Sequence, residues 1–204
     1  MIYLAIKDDS HRNNKKQLKL NSMFDAAYEL FVTKGVNETA IDDIVKKAGV
    51  AKGTFYLYFK DKYDITDQIV LGESTLILKE AMHATMKEGI DNFIDATIFF
   101  IDHVIEHFKN NKKQLKLMYK NLSWGLYRKA IADPNNYTEM RELAELVFNN
   151  IEGSGVKREE LDKTMFMVIE LTGSVAYSSI ILEEPAPIDE MKPILFKTIR
   201  KMLG

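Results

Sequence analysis

Two groups of side chains in this sequence could do chemistry. Lys52, Thr54, Tyr56 and Tyr58 fall within one seven-residue stretch, with Thr39 upstream and Lys62 downstream. Ammonium, hydroxyl and phenol groups of this kind, near the start of a short helix, suit the phosphates and base edges of DNA. Gly53, in their midst, lets the backbone come close. The second group is His103-Val104-Ile105-Glu106-His107, an H-x-x-E-H pattern. Two imidazoles four apart on one helix face can hold zinc, with the Glu activating water. That pattern is short, and it needs a third ligand and a suitable fold. A pair of ordinary helix-surface histidines is the simpler account.

The first group needs elements to position it. Met23, Ala27, Leu30 and Phe31 lie on one helical face, so a first helix is expected over about Lys16 to Thr33, closed by Gly35. Thr39 is expected to open a second helix, with Asp42 in a weak capping-box position. Ile41, Ile44, Val45 and Ala48 form its buried stripe, and Gly49 ends it. A third helix is expected from Lys52 to Phe59, with Phe55 and Phe59 inward. Helix, tight turn and short helix make a helix-turn-helix. Asp61 can cap a long fourth helix, Lys62 to Lys87, that runs into the rest of the chain without a flexible linker.

Composition supports this division. The chain has 204 residues, no Cys, 10 Gly and 4 Pro, which fits a helix-rich protein in a reducing compartment. Residues 1–62 carry 11 Lys+Arg against 8 Asp+Glu, whereas residues 63–204 carry 17 against 22. The positive end is the one with the DNA-type side chains. No apolar run is read as a membrane span, and the start lacks the basic region and cleavage site of a signal peptide. Residues 1–15 are expected to be a mobile arm. No Ser-His-Asp pattern, phosphate loop or dinucleotide fingerprint occurs.

The segment from Met23 to Lys62 resembles the DNA-binding domain of the TetR (tetracycline repressor) family. The resemblance rests on Ala26-Ala27, Leu30-Phe31, Gly35, Thr39, Ile41, Ile44, Ala48-Gly49-Val50, Lys52-Gly53-Thr54, Tyr56, Tyr58-Phe59 and Lys62. Ala51 stands where the family often has a Ser or Thr cap, and Tyr58 where it often has His. The resemblance implies a homodimeric transcriptional regulator, most often a repressor, that leaves a near-palindromic operator when a small molecule binds its C-terminal domain. On that basis Thr39, Lys52, Gly53, Thr54, Tyr56, Tyr58 and Lys62 are expected to meet DNA. Thr39 and Lys62 would hold phosphates, and Tyr58 would touch a thymine methyl.

The remainder is expected to be all-helical. Residues 1–62 form the helix-turn-helix domain and residues 63–204 an effector-binding and dimerisation domain. Breaks are expected at 133–136 and 183–187, with an amphipathic helix from Tyr137 to Asn150 ended by Gly153-Ser154-Gly155. The helix from Arg158 to Leu182 is apolar on several faces and holds small residues, so with the helix after Asp189 it is expected to form the dimer interface. Phe100, His103, Met118, Trp124, Tyr127, Met167, Glu170 and Tyr177 are expected to line a pocket for an apolar or amphiphilic effector. No cofactor, metal or catalytic residue is expected, and the protein is placed in the cytoplasm. Gating by a protein partner is the alternative to a small effector, and a zinc hydrolase built on His103, Glu106 and His107 a remote third reading.

Overall fold

A computed structural model describes residues 11–133 and 158–204. The helices are α1 (His11–Thr33), α2 (Ile41–Ala48), α3 (Lys52–Tyr56), α4 (Lys62–Glu88), α5 (Phe93–Asn110), α6 (Lys112–Asn121), α7 (Trp124–Ala132), α8 (Arg158–Tyr177) and α9 (Ile188–Leu203). No strand occurs among the described residues. Residues 11–15 of the expected arm belong to α1, and residues 1–10 lie outside the described residues. The amphipathic helix expected over Tyr137 to Asn150, and its glycine terminus, lie outside the described residues.

The short helices hold their ends by different means. Gly49 adopts φ 67°, ψ 32°, the left-handed conformation that a glycine enters without steric cost, and Val50 donates back to the Val45 carbonyl at 3.0 Å. Ala51 leads into α3 with no side-chain cap, so this five-residue helix draws its order from packing. Asp61 caps α4 by accepting from the N–H groups of Tyr63 at 2.8 Å and Asp64 at 3.0 Å. Asp64 in turn accepts from the N–H of Lys60 at 2.9 Å. At its far end Gly89, φ 64°, closes a 27-residue helix about 40 Å long.

Two cores result. The first joins Met23, Phe24, Ala27 and Phe31 of α1 to Ile44 and Val45 of α2 and to Phe55 and Phe59. It continues into Ile65, Ile69 and Val70 of α4 and Leu117 and Met118 of α6, so burial runs past Lys62 into the helices beyond. The Phe24 and Phe59 rings meet edge-on at 5.3 Å, an arrangement favoured by the ring quadrupoles. The second core holds Ile98, Ile101 and Ile105 of α5 against Val168 and Ala176 of α8 and Leu195 and Ile199 of α9. Ion pairs set the register of α9 on α5: Lys192 with Asp102 at 2.5 Å and with Glu106, Lys109 with Asp189 at 2.7 Å, and Arg200 with Asp95 at 2.5 Å. Burial opposes the Lys192 charge, but its hydrogen bonds to Asp102 and Glu106 prevail and hold the ammonium above the ordinary lysine range.

Against expectation, one helical stretch, Lys163–Leu182, is long and apolar enough to cross a membrane by length and composition. In the fold α8 packs on α5, α6 and α9. Its last turn widens over Ser178–Leu182, and Glu183, at φ 58°, turns the chain out of the helix.

The polar residues inside α4 are handled locally. Thr66, Ser74, Thr75 and Thr85 donate their hydroxyls to carbonyls one turn earlier, at 2.6–2.8 Å. Glu73 reaches across instead. It accepts from Gln114 of α6 at 2.7 Å, and the other end of that amide meets His107 of α5 at 2.7 Å. Burial pushes the Glu73 carboxyl above the usual range, and the bond from Gln114 offsets only part of this. Tyr28 of α1 is raised likewise, by burial first and then by the Glu73 charge. With its folded pKa raised, Glu73 contributes stability that is full below its unfolded pKa and falls away as pH rises through the folded one. Glu73→Gln keeps an acceptor for Gln114 and removes the buried charge. Its melting temperature is expected to exceed wild type by a few degrees at pH 7 and to converge with it towards pH 4. Thermal unfolding across that range checks this; an equal offset at every pH would remove Glu73 titration as the cause.

Candidate nucleic-acid interface

Phe55 is fully buried and Phe59 nearly so, and this pair sets which way α3 faces. With both inward, Lys52, Gly53, Tyr56 and Leu57 fall at i, i+1, i+4 and i+5 and form one exposed stripe. Around Gly53 a Cβ would meet nothing within 4 Å, so the surface there is open to an approaching backbone or base. Lys52 pairs with Asp42 of α2 at 2.8 Å, and that hydrogen bond raises its pKa. Both groups are exposed, so the pair exchanges readily for a phosphate. Tyr56 is half-exposed, its ring edge-on to Phe55 at 5.6 Å. Thr54 sits at the margin of the stripe, partly buried.

Several expected residues are placed differently. Thr39 is 1% exposed and its hydroxyl donates to the Gly35 carbonyl at 2.8 Å. In this structure that hydroxyl braces the α1–α2 connection. The residue preceding α2 is Ala40, and its N–H is met at 3.4 Å by the carboxylate of Asp43, one residue later than the Asp42 expected. Lys62 also turns inward. Its ammonium donates to the carbonyls of Val36 at 2.9 Å, Asn37 at 2.9 Å and Thr39 at 3.2 Å. An ammonium has three N–H donors, and all three are used. Lys62 therefore ties the first residue of α4 to the loop before α2. Tyr58, expected at a thymine methyl, leans on the first core. Helix α3 itself ends at Tyr56, short of the expected Phe59.

Leu57 was missed from sequence because attention went to hydrogen-bonding types. The stripe rule would have found it, since it lies on the same face as Lys52 and Gly53. Lys46 and Lys60 are exposed nearby, and Lys47 pairs with Glu29 at 2.7 Å.

Residues 24–69 match the sequence profile of "Bacterial regulatory proteins, tetR family". That segment is a DNA-binding domain of the TetR family. The chain is 26% identical over 196 residues to the HTH-type transcriptional regulator YvdT of Bacillus subtilis, covering 91% of this chain and 95% of that one. Over 55 residues, 26% of each protein, it is 42% identical to the HTH-type transcriptional regulator AcrR of Shigella flexneri. Its fold is that of a TetR-family transcriptional regulator from Streptomyces coelicolor, with a TM-score of 0.67 at 15% identity over 91% of this chain and 98% of that one. It also matches FadR of Bacillus subtilis, solved in complex with stearoyl-CoA, with a TM-score of 0.58 at 16% identity over 88% and 97% of the two chains. As a TetR-family protein it is a DNA-binding transcriptional regulator with a helix-turn-helix.

The expected effector residues do not all converge. Trp124 and Tyr127 stack at 5.3 Å, and Trp124 meets Phe166 of α8 at 5.5 Å. Tyr177 stacks on Tyr119 of α6 at 4.3 Å. These rings form an aromatic seam between α8 and the α6–α7 pair. Phe100 packs into the second core, and His103 is partly buried on α5. Met118 is buried in the first core, because α6 packs on α1 and α4. Met167 and Glu170 are exposed on α8. A separate open cleft of about 620 Å³ is lined by Tyr28 and Val32 of α1 and by Lys109 to Gln114, and by none of the eight expected residues.

Two of the three H-x-x-E-H side chains are committed elsewhere. His107 bonds to Gln114 and Glu106 pairs with Lys192. Among the described residues no three His, Cys, Asp or Glu side chains gather to hold a metal.

The two lysines give a test of the geometry. Lys62→Met is expected to lower affinity for every DNA sequence while leaving the salt dependence close to wild type, since no phosphate contact is lost. Lys52→Met is expected to flatten the log–log salt slope by about one for each subunit contact. Titrations at several salt concentrations check this; a flattened slope in Lys62→Met would return that lysine to the phosphate backbone.

Proposed function

We propose that this protein is a repressor that binds near-palindromic operator DNA as a homodimer in the cytoplasm and leaves it when a small apolar or amphiphilic effector binds. The observation that carries the reading is the exposed stripe of α3, fixed by buried Phe55 and Phe59 to the same core as α4. Lys52, Gly53, Thr54 and Tyr56 supply the direct contacts in this reading, and Lys62 and Thr39 hold the frame. Two copies of α3 would enter successive major grooves about 34–36 Å apart.

Support for the dimer comes from α8 and α9. Phe166, Met167, Ile169 and Ile194 are exposed, while Val168, Leu195 and Ile199 form the core behind them. Large apolar groups on the outer side of two adjacent helices suit the partner helices of a second copy. Ile169→Asp combined with Ile194→Asp alters exposed positions and leaves the core intact. The double variant is expected to sediment as a folded monomer and to lose at least tenfold in affinity for palindromic DNA. A variant that stays dimeric would move the interface elsewhere.

Support for the effector comes from the aromatic seam and from the long α4, which packs on α1, α5, α6 and α7. The fold neighbour from Bacillus subtilis was solved with a fatty acyl thioester, which fits the class of ligand that aromatic walls favour. Effector binding shifts the equilibrium only as far as the ligand prefers the state that cannot hold DNA. Trp124 is the only tryptophan, so its emission reports on the seam directly. Titration with fatty acids and acyl thioesters of graded length is expected to change that emission and to release the chain's own upstream DNA in gel shift at matching concentrations. A series that leaves both signals unchanged removes this class of effector, and failure to bind any promoter fragment at low salt removes the operator.

A further inference from the structure

Leu57 is 80% exposed, more than any other large apolar side chain described. An exposed leucine alone means little. This one stands one turn beyond Gly53 and beside Tyr56, on the stripe assigned to DNA. Its backbone is held in helical geometry, φ −74°, ψ −21°, by the Leu57 N–H to the Thr54 carbonyl at 3.3 Å. The Tyr58 and Phe59 N–H groups, both bonded to the Phe55 carbonyl at 3.0 Å, fix the turn around it. The side chain is thus aimed outward by two buried phenylalanines and stands open among the described residues.

A leucine cannot donate or accept a hydrogen bond. On a surface that meets the floor of the major groove, the base feature it can distinguish is the C5-methyl of thymine. Tyr58 is partly buried against the first core, so Leu57 is the more exposed of the two. We propose that Leu57 is a specificity-determining residue that reads one thymine methyl in each operator half-site. The proposal rests on α3 as the groove-entering element and adds an apolar base contact to its polar ones.

Selection from a random duplex library yields the operator, and each thymine is then replaced by deoxyuridine, which lacks only the methyl. Wild type is expected to lose roughly fourfold in affinity at one symmetric pair of positions, the worth of one buried methyl per contact. Leu57→Ala is expected to bind thymine and deoxyuridine duplexes equally at that pair, with an unchanged salt slope. Leu57→Met, which keeps apolar reach, is expected to restore part of the discrimination. Wild type that tolerates deoxyuridine everywhere, or Leu57→Ala that still discriminates, overturns the Leu57 assignment while leaving α3 in the groove. Selection that enriches no sequence overturns the groove reading and this assignment together.

Discussion

The Lys62 ammonium, set on three carbonyls of the α1–α2 connection, is the contact on which the arrangement turns. It sits at the first residue of the longest described helix. Those carbonyls lie at a loop beside a core, where the Val36 carbonyl also accepts from the Thr39 N–H at 3.3 Å. One lysine satisfies them and fixes where α4 begins. Phe55 and Phe59 then fix α3 against the same core that receives Ile65, Ile69 and Val70. The exposed face of α3 and the root of α4 are therefore fixed to one core.

Past that root, α4 meets the rest of the molecule through Glu73. The chain Glu73, Gln114 and His107 brings together α4, α6 and α5. It is a polar crossing inside otherwise apolar packing. Such crossings specify a register, since a shift of either helix strands a buried carboxylate. A ligand that moves α5 or α6 must also move this crossing, which gives a physical route from the C-terminal half to the helix that carries the DNA-binding domain.

Much of this was legible in the sequence. Gly49, Phe55, Phe59 and Asp61 announce the turn, the core face and the cap, because each follows from local periodicity or a local hydrogen bond. The errors are of another kind. Lys62 and Thr39 have the chemical types that hold phosphates, and only tertiary geometry shows that backbone carbonyls take their donors. Met118 reads as a pocket methionine on composition, but its place depends on α6 reaching the first core, a contact far apart in sequence. The membrane-like apolarity of Lys163–Leu182 was overlooked because scattered charges interrupt it. Leu57 was passed over because a hydrogen-bonding inventory has no place for a leucine.

Helix α3 is too short to stand alone and has no side-chain cap, so its order comes from Phe55 and Phe59. The residues that fold it and the residues that face outward are therefore disjoint sets. Substitutions at Lys52, Gly53 or Leu57 alter the outer surface without touching the buried rings, whereas Tyr56 meets Phe55 edge-on. In evolutionary terms the recognition surface is free to drift. A duplicated copy of such a gene could acquire a new target site in a few steps, each one leaving a stable protein behind it.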